Sequence, residues 1–177
     1  MKFLIGLIFF MGLSSLAQAT GQSREYYLKA AFLRYVVQYT EWPTNAVPKD
    51  KLNICLLGQI PSFEGLNSIT GKVVNDRALN LEKLLDLSHV KDQCQMLFVS
   101  KTEEDKTPDI VNKLKGSPIL VFGDLDGFAA KGGAMNFYIA NNRLAIMANL
   151  RALREAHLNL NPKMLKLITV VPQTDES

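Results

Sequence analysis

Gln95-Met96-Leu97-Phe98-Val99, then Thr107-Pro108-Asp109-Ile110-Val111 running on to Leu114, then Ile119-Leu120-Val121-Phe122: this stretch decides the fold class. Its outer runs are short and almost unbroken in apolar residues, the pattern of strands covered on both faces. Between them, a Thr cap followed by Pro at the first helical position announces a helix, which Gly116 ends. Strand, helix, strand is the signature of an α/β fold.

Working outward, Leu52 to Leu57, closed by Gly58, repeats the buried-strand pattern. Upstream, Tyr27, Leu28, Ala31, Phe32, Tyr35, Val36 and Tyr39 recur at helical spacing between Arg24 and Tyr39, and Thr40-Glu41-Trp42-Pro43 ends that helix. Its apolar face must be covered. Downstream, Ala134 to Ile139 and Arg143 to Met147 flank Asn141-Asn142, residues that tolerate the positive φ of a tight hairpin. Asn149 caps a helix through Ala156, and Asn161-Pro162 starts another through about Ile168, before a polar tail after Pro172 that is expected to fray.

The first nineteen residues read as a cleavable secretory signal. Lys2 supplies the basic start, Phe3 to Leu13 the apolar stretch, and Ala17-Gln18-Ala19 the small-residue exit. A retained anchor is the alternative, but about eleven apolar residues reach only ~17 Å as a helix against a hydrocarbon core of ~30 Å. Cleavage after Ala19 leaves residues 20–177, the size of one α/β domain, exported and soluble. The formal charge of the whole chain is +3. With no arginine-rich stripe, nucleic acid is not an expected partner. Glu103-Glu104-Asp105 reads as a solvated loop beside a helix start.

Cys55 and Cys94 are the only cysteines, and in an oxidising compartment they read as one disulfide. Two buried thiols or a redox pair are the competing readings, the latter ordinarily marked by a close Cys-x-x-Cys that is absent here. His89 and His157 stand apart in sequence with no metal-ligand spacing, and no Gly-x-Ser-x-Gly elbow occurs. Neither metal nor cofactor is expected. Asp124 and Asp126 could form an acid/base pair, yet residues two apart after a strand read more naturally as turn formers. Gly127-Phe128-Ala129-Ala130-Lys131-Gly132-Gly133 has the outline of a phosphate loop without its lysine and hydroxyl residue, and it leads into a strand.

Lys29-Ala30-Ala31-Phe32 leading to Glu41-Trp42-Pro43, Ile54-Cys55-Leu56-Leu57-Gly58, Cys94 before Leu97-Phe98-Val99-Ser100, Gly127-Phe128-Ala129 before Gly132-Gly133, and Asn149-Leu150 before two C-terminal helices follow one another in this order. Together these segments resemble the YfiR-like family of periplasmic regulators. The resemblance covers nearly all of the chain after the leader. It implies a single-domain sandwich, a mixed sheet with helices on both faces, and a disulfide between Cys55 and Cys94. It also implies a tendency to form homodimers, no catalytic activity, and inhibitory binding to the periplasmic portion of a membrane-anchored sensor, typically a diguanylate cyclase. The implied partner-binding residues are Met147, Ile168, Val170 and Val171, with core packing an equal reading for the C-terminal ones. Two features depart from the pattern: the second cysteine pair of some members is missing, and Met147 stands where a carboxylate is frequent. A rival of another class is a periplasmic small-ligand binder using a cleft near Gly58 and Asp124 to Gly127. A secreted enzyme of unrecognised type ranks last.

Overall fold

The computed structural model describes residues 13–172. The leader before Leu13 and the tail after Pro172 lie outside the described residues, and the expected basic start, most of the apolar leader and the frayed tail with them. The first helix, α1, spans Leu13–Tyr39. It therefore begins earlier than the Arg24 start read from periodicity, and only part of the expected stripe turns inward: Val36 is buried, and Phe32 and Tyr39 pack against the core. Tyr26, Ala30, Leu33, Val36 and Val37 are buried, whereas Tyr27, Leu28 and Tyr35 are 45%, 49% and 46% exposed. The buried stripe consists mainly of the small and branched side chains Ala30, Leu33, Val36 and Val37, which allow close approach, joined by Tyr26.

In chain order there follow β1 (Thr40–Glu41), β2 (Lys51–Leu57), α2 (Phe63–Asn67), β3 (Val73–Val74), β4 (Arg77–Leu84), α3 (Val90–Gln93) and β5 (Met96–Val99). A 3₁₀ helix, Lys101–Lys106, precedes α4 (Thr107–Leu114) and takes in the acidic run Glu103-Glu104-Asp105. Then come β6 (Leu120–Gly123), β7 (Met135–Ala140), β8 (Arg143–Ala148), α5 (Leu150–Glu155), β9 (Asn159–Leu160), α6 (Pro162–Leu165) and β10 (Thr169–Val170). Eight strands form one mixed sheet in the order β10-β8-β7-β6-β5-β2-β4-β3, and β1 pairs separately with β9. Strands β4, β2, β5, β6 and β7 run parallel, while β3 and β8 are antiparallel to their neighbours β4 and β7. The expected α/β sandwich is the observed architecture.

Alternation along the central strands divides two cores between the two faces. Leu52, Ile54, Leu56, Met96, Phe98, Leu120 and Phe122 pack with α1. Cys55, Leu57, Leu97, Val99 and Val121 pack with Ile110 and Leu114 of α4 and with Phe128. Each fully buried side chain of this size contributes about 1.5–3 kcal/mol relative to exposure. That double coverage is why these strands read as unbroken apolar runs.

The hairpin turn is as expected: Asn141 and Asn142 have φ of 50° and 58°, the left-handed pair of a two-residue turn. Two boundaries differ. Thr107 lies inside α4, whose N-cap is Lys106. The helix from Pro162 stops at Leu165, so Ile168 is not helical and Thr169-Val170 form a parallel edge strand against Met147-Ala148. A β-branched run, Ile168 to Val171, favours that extended state over another helical turn.

Candidate functional site

The central strand order is that of a doubly wound sheet, with its reversal between β2 and β5. From β2 the chain crosses to β4 through α2, which packs on α1. From β5 it crosses to β6 through α4, on the opposite face. Two neighbouring parallel strands whose continuations leave on opposite faces open a crevice at their carboxyl ends, where ligands settle in folds of this kind. Here the crevice is a cleft of about 360 Å³, walled by Gln59 after β2, Ser100 to Thr102 after β5, Asp124 after β6, and the middle of α1 from Gln22 to Lys29.

At its base lies a buried ionic cluster. Lys29 Nζ stands 2.6 Å from Asp124 Oδ1 and 2.5 Å from Glu25 Oε1, and the Tyr26 hydroxyl donates to Asp124 Oδ2 at 2.8 Å. The Lys29 and Asp124 side chains are only 7% and 6% exposed, whereas Glu25 is half exposed. Burial raises Asp124 above its ordinary value, against the pull of the Lys29 ammonium and the Tyr26 hydrogen bond. The Tyr26 phenol is raised as well, first by burial and then by the charge of Asp124. The ammonium also lies 4.5 Å from the centre of the Tyr26 ring.

The loops above the cluster are stitched together. The Gln59 N–H donates to Thr102 Oγ1 at 3.0 Å, and the Ser100 hydroxyl donates to the Gln59 carbonyl. Gly58 lets them meet. Its φ is +87°, and a Cβ there would stand 2.6 Å from Thr102 Oγ1.

Sequence reasoning placed a ligand cleft near Gly58 and Asp124 but read Asp124 as a turn former, and that reading is corrected: its carboxylate is buried and ion-paired. Tyr26, Lys29 and Ser100 were not anticipated as site residues. Two signals pointed to them: Gln22, Glu25, Tyr26 and Lys29 fall at i, i+3, i+4 and i+7 on one helix face, and Ser100 and Asp124 are the first side chains beyond buried strands.

The other singled-out residues lie elsewhere. Cys55 and Cys94 form a disulfide, 0% and 3% exposed, tying central β2 to the end of α3. Met147, Ile168, Val170 and Val171 do not share one face. Met147 pairs across from Thr169, and Tyr138 reaches Thr169 Oγ1 at 2.6 Å, so Tyr138, Met147, Thr169 and Val171 lie on the sheet face away from α1. Val170, opposite Ala148, lies on the α1 face, and Ile168 packs against that core. His89 and His157 are exposed and in different elements. The glycine-rich loop serves packing: a Cβ on Gly123 or Gly133 would run into the Phe128 ring, and Asn136 and Asn149 hold Ala129 by its backbone.

Comparison with known proteins bears on the whole chain. Against the curated proteins nothing matches. Among solved structures, a conserved domain protein from Vibrio cholerae O1 biovar El Tor is similar at a TM-score of 0.54 and 10% identity, over 81% of this chain and 60% of that one. This chain thus spans less than two thirds of that protein, and the likeness concerns the fold. The profile of the YfiR/HmsC-like family matches residues 26–168, from the ionic cluster to the edge of the sheet, and the chain belongs to that family.

Proposed function

We propose that this protein is a periplasmic regulator that binds a membrane-anchored sensor, a diguanylate cyclase, and lowers cyclic di-GMP signalling by holding that sensor in its inactive arrangement. The observation that carries the reading is the family match over residues 26–168. The leader residues 1–19 act as an export signal on this view, and a cut after Ala19 leaves α1 starting near Thr20. A buried disulfide suits an oxidising compartment. No helix among the described residues is long and apolar enough to cross a membrane; on this reading the contact with the membrane is made through the partner.

The action is binding without catalysis. A repressor shifts a sensor's equilibrium only as far as its affinities for the two sensor states differ. Two surfaces serve protein contact: the outer sheet face around Met147 and Val171 receives the sensor, and the exposed Tyr27, Leu28 and Tyr35 of α1 form an apolar patch that a second copy covers in a homodimer.

The test is affinity capture of the tagged protein from cross-linked membranes, with cyclic di-GMP measured in deleted and complemented cells. Recovery of one sensor with a cyclase domain, and a rise in cyclic di-GMP on deletion, is the expected result. An unchanged nucleotide level with no membrane partner rejects the reading.

A further inference from the structure

On α1 the inward stripe of Leu33, Val36 and Val37 becomes Gln22, Glu25, Tyr26 and Lys29 where the helix overhangs the strand ends. Packing does not require that change. Withdrawing an ammonium and a carboxylate from water costs several kcal/mol per ion, and apolar residues of similar volume hold a fold as well. The cluster is better explained by what it presents to the cleft.

Charge is divided between the walls. On one side Glu25, Lys29 and Asp124 place two carboxylates against one ammonium, which leaves one negative charge. Glu25, which lines the cleft and is half exposed, binds Lys29 through Oε1, and its Oε2 has no ion-pair partner among the described residues. On the other side the Ser100-Lys101-Thr102 wall carries the Lys101 ammonium, which has no carboxylate within ion-pair distance among the described residues. The hydrogen bonds of Gln59 to Ser100 and Thr102 fix the rim before any ligand arrives, which lowers the entropic cost of binding.

We propose that this cleft binds a small zwitterion, its ammonium received by Glu25 and its carboxylate by Lys101 with Thr102. Its volume of about 360 Å³ falls at the small end of ligand sites, roughly 300–1,000 Å³, and suits a solute the size of a free amino acid. The site lies apart from the Met147 face and stands independently of the regulatory reading.

The purified protein is heated with each standard L-amino acid singly at millimolar concentration, and any compound that raises the melting temperature is titrated by calorimetry. At least one should give a saturable rise, and its N-acetyl and methyl-ester forms should give none. Lys101→Ala should keep the unliganded melting temperature and Glu25→Gln should lower it only by the loss of its half-exposed ion pair to Lys29, and each should weaken that compound by about tenfold or more, as removing one charge of a matched pair does. The proposal is overturned if no amino acid shifts the melting temperature, if a blocked form binds as well as the free one, or if either variant binds undiminished.

Discussion

Asp124 places a carboxylate where only 6% of its side chain meets water. Its carboxylate is raised first by burial, with Lys29 and Tyr26 acting in the opposite direction. A carboxyl whose folded pKa exceeds its unfolded value, about 3.9 for Asp, binds its proton more tightly in the native state. Its contribution to stability is then fully present below the unfolded value and is lost as pH rises through the raised folded one. Glu25, Tyr26 and Lys29 of α1 are the charged or titratable groups that face it, and Asp124→Asn removes the titration while keeping an acceptor for Tyr26. In urea denaturation at pH values stepped from about 4 to 7, the stability of the native protein relative to Asp124→Asn should therefore decline as pH rises. A difference that grows with pH would mean that the Lys29 ammonium, not burial, governs this carboxylate.

Among the elements, α4 illustrates a cap that was misplaced by one residue. Thr107 is buried inside the helix, and its hydroxyl has no protein hydrogen-bond partner. Thr107→Val keeps the shape and removes a buried hydroxyl, so urea unfolding should show unchanged or increased stability, up to about 2 kcal/mol. A loss of more than about 1 kcal/mol would show that the hydroxyl caps the helix after all. The same element was otherwise legible, as were β2, β5, β6 and the β7–β8 hairpin, because double burial and turn chemistry both leave local marks. By contrast β4 went unread: Arg77-Ala78-Leu79-Asn80-Leu81-Glu82-Lys83-Leu84 is half exposed, and its place beside β2 is set by long-range pairing that leaves no apolar run. The disulfide ties the well-marked β2 to the end of α3, two residues before β5, across 39 residues, and closing such a loop is worth about 4 kcal/mol in the chain-entropy model. Cys55→Ala with Cys94→Ala should lose about that much. Since both sulfurs are buried, the native bridge should be reduced by dithiothreitol no faster than the protein unfolds. Reduction that outpaces unfolding, followed by thiol labelling, would identify a bridge that opens in the native state and fits a redox switch.

At the scale of the whole molecule, the sheet is a partition: one face is closed by α1, and the other is closed by α4 and the Phe128 loop only over its centre. Sequence reasoning reached the crevice at the strand ends from Gly58 and Asp124, because strand termini are local features. It could not assemble the cluster, since Tyr26 and Asp124 are 98 residues apart and meet only once α1 lies across the sheet. Nor could it divide the C-terminal residues between faces, because that depends on β10 pairing with β8 rather than continuing a helix. The division has a direct consequence for binding. Met147 is on the face away from α1 and is only partly buried, so on the proposed regulatory reading Met147→Arg should leave the melting temperature nearly unchanged while reducing recovery of the membrane sensor and raising cyclic di-GMP toward the level of the deletion. Ile168 is also only partly buried but packs against the α1 core, so Ile168→Arg should instead destabilise the protein by about 1–2 kcal/mol, chiefly through lost packing. Were Met147→Arg to melt early, Met147 would be core, and its effect on signalling would reflect abundance. Were it to fold normally and still recover the sensor, this face would not be the contact, and the exposed Tyr27, Leu28 and Tyr35 of α1 would be the surface to substitute next.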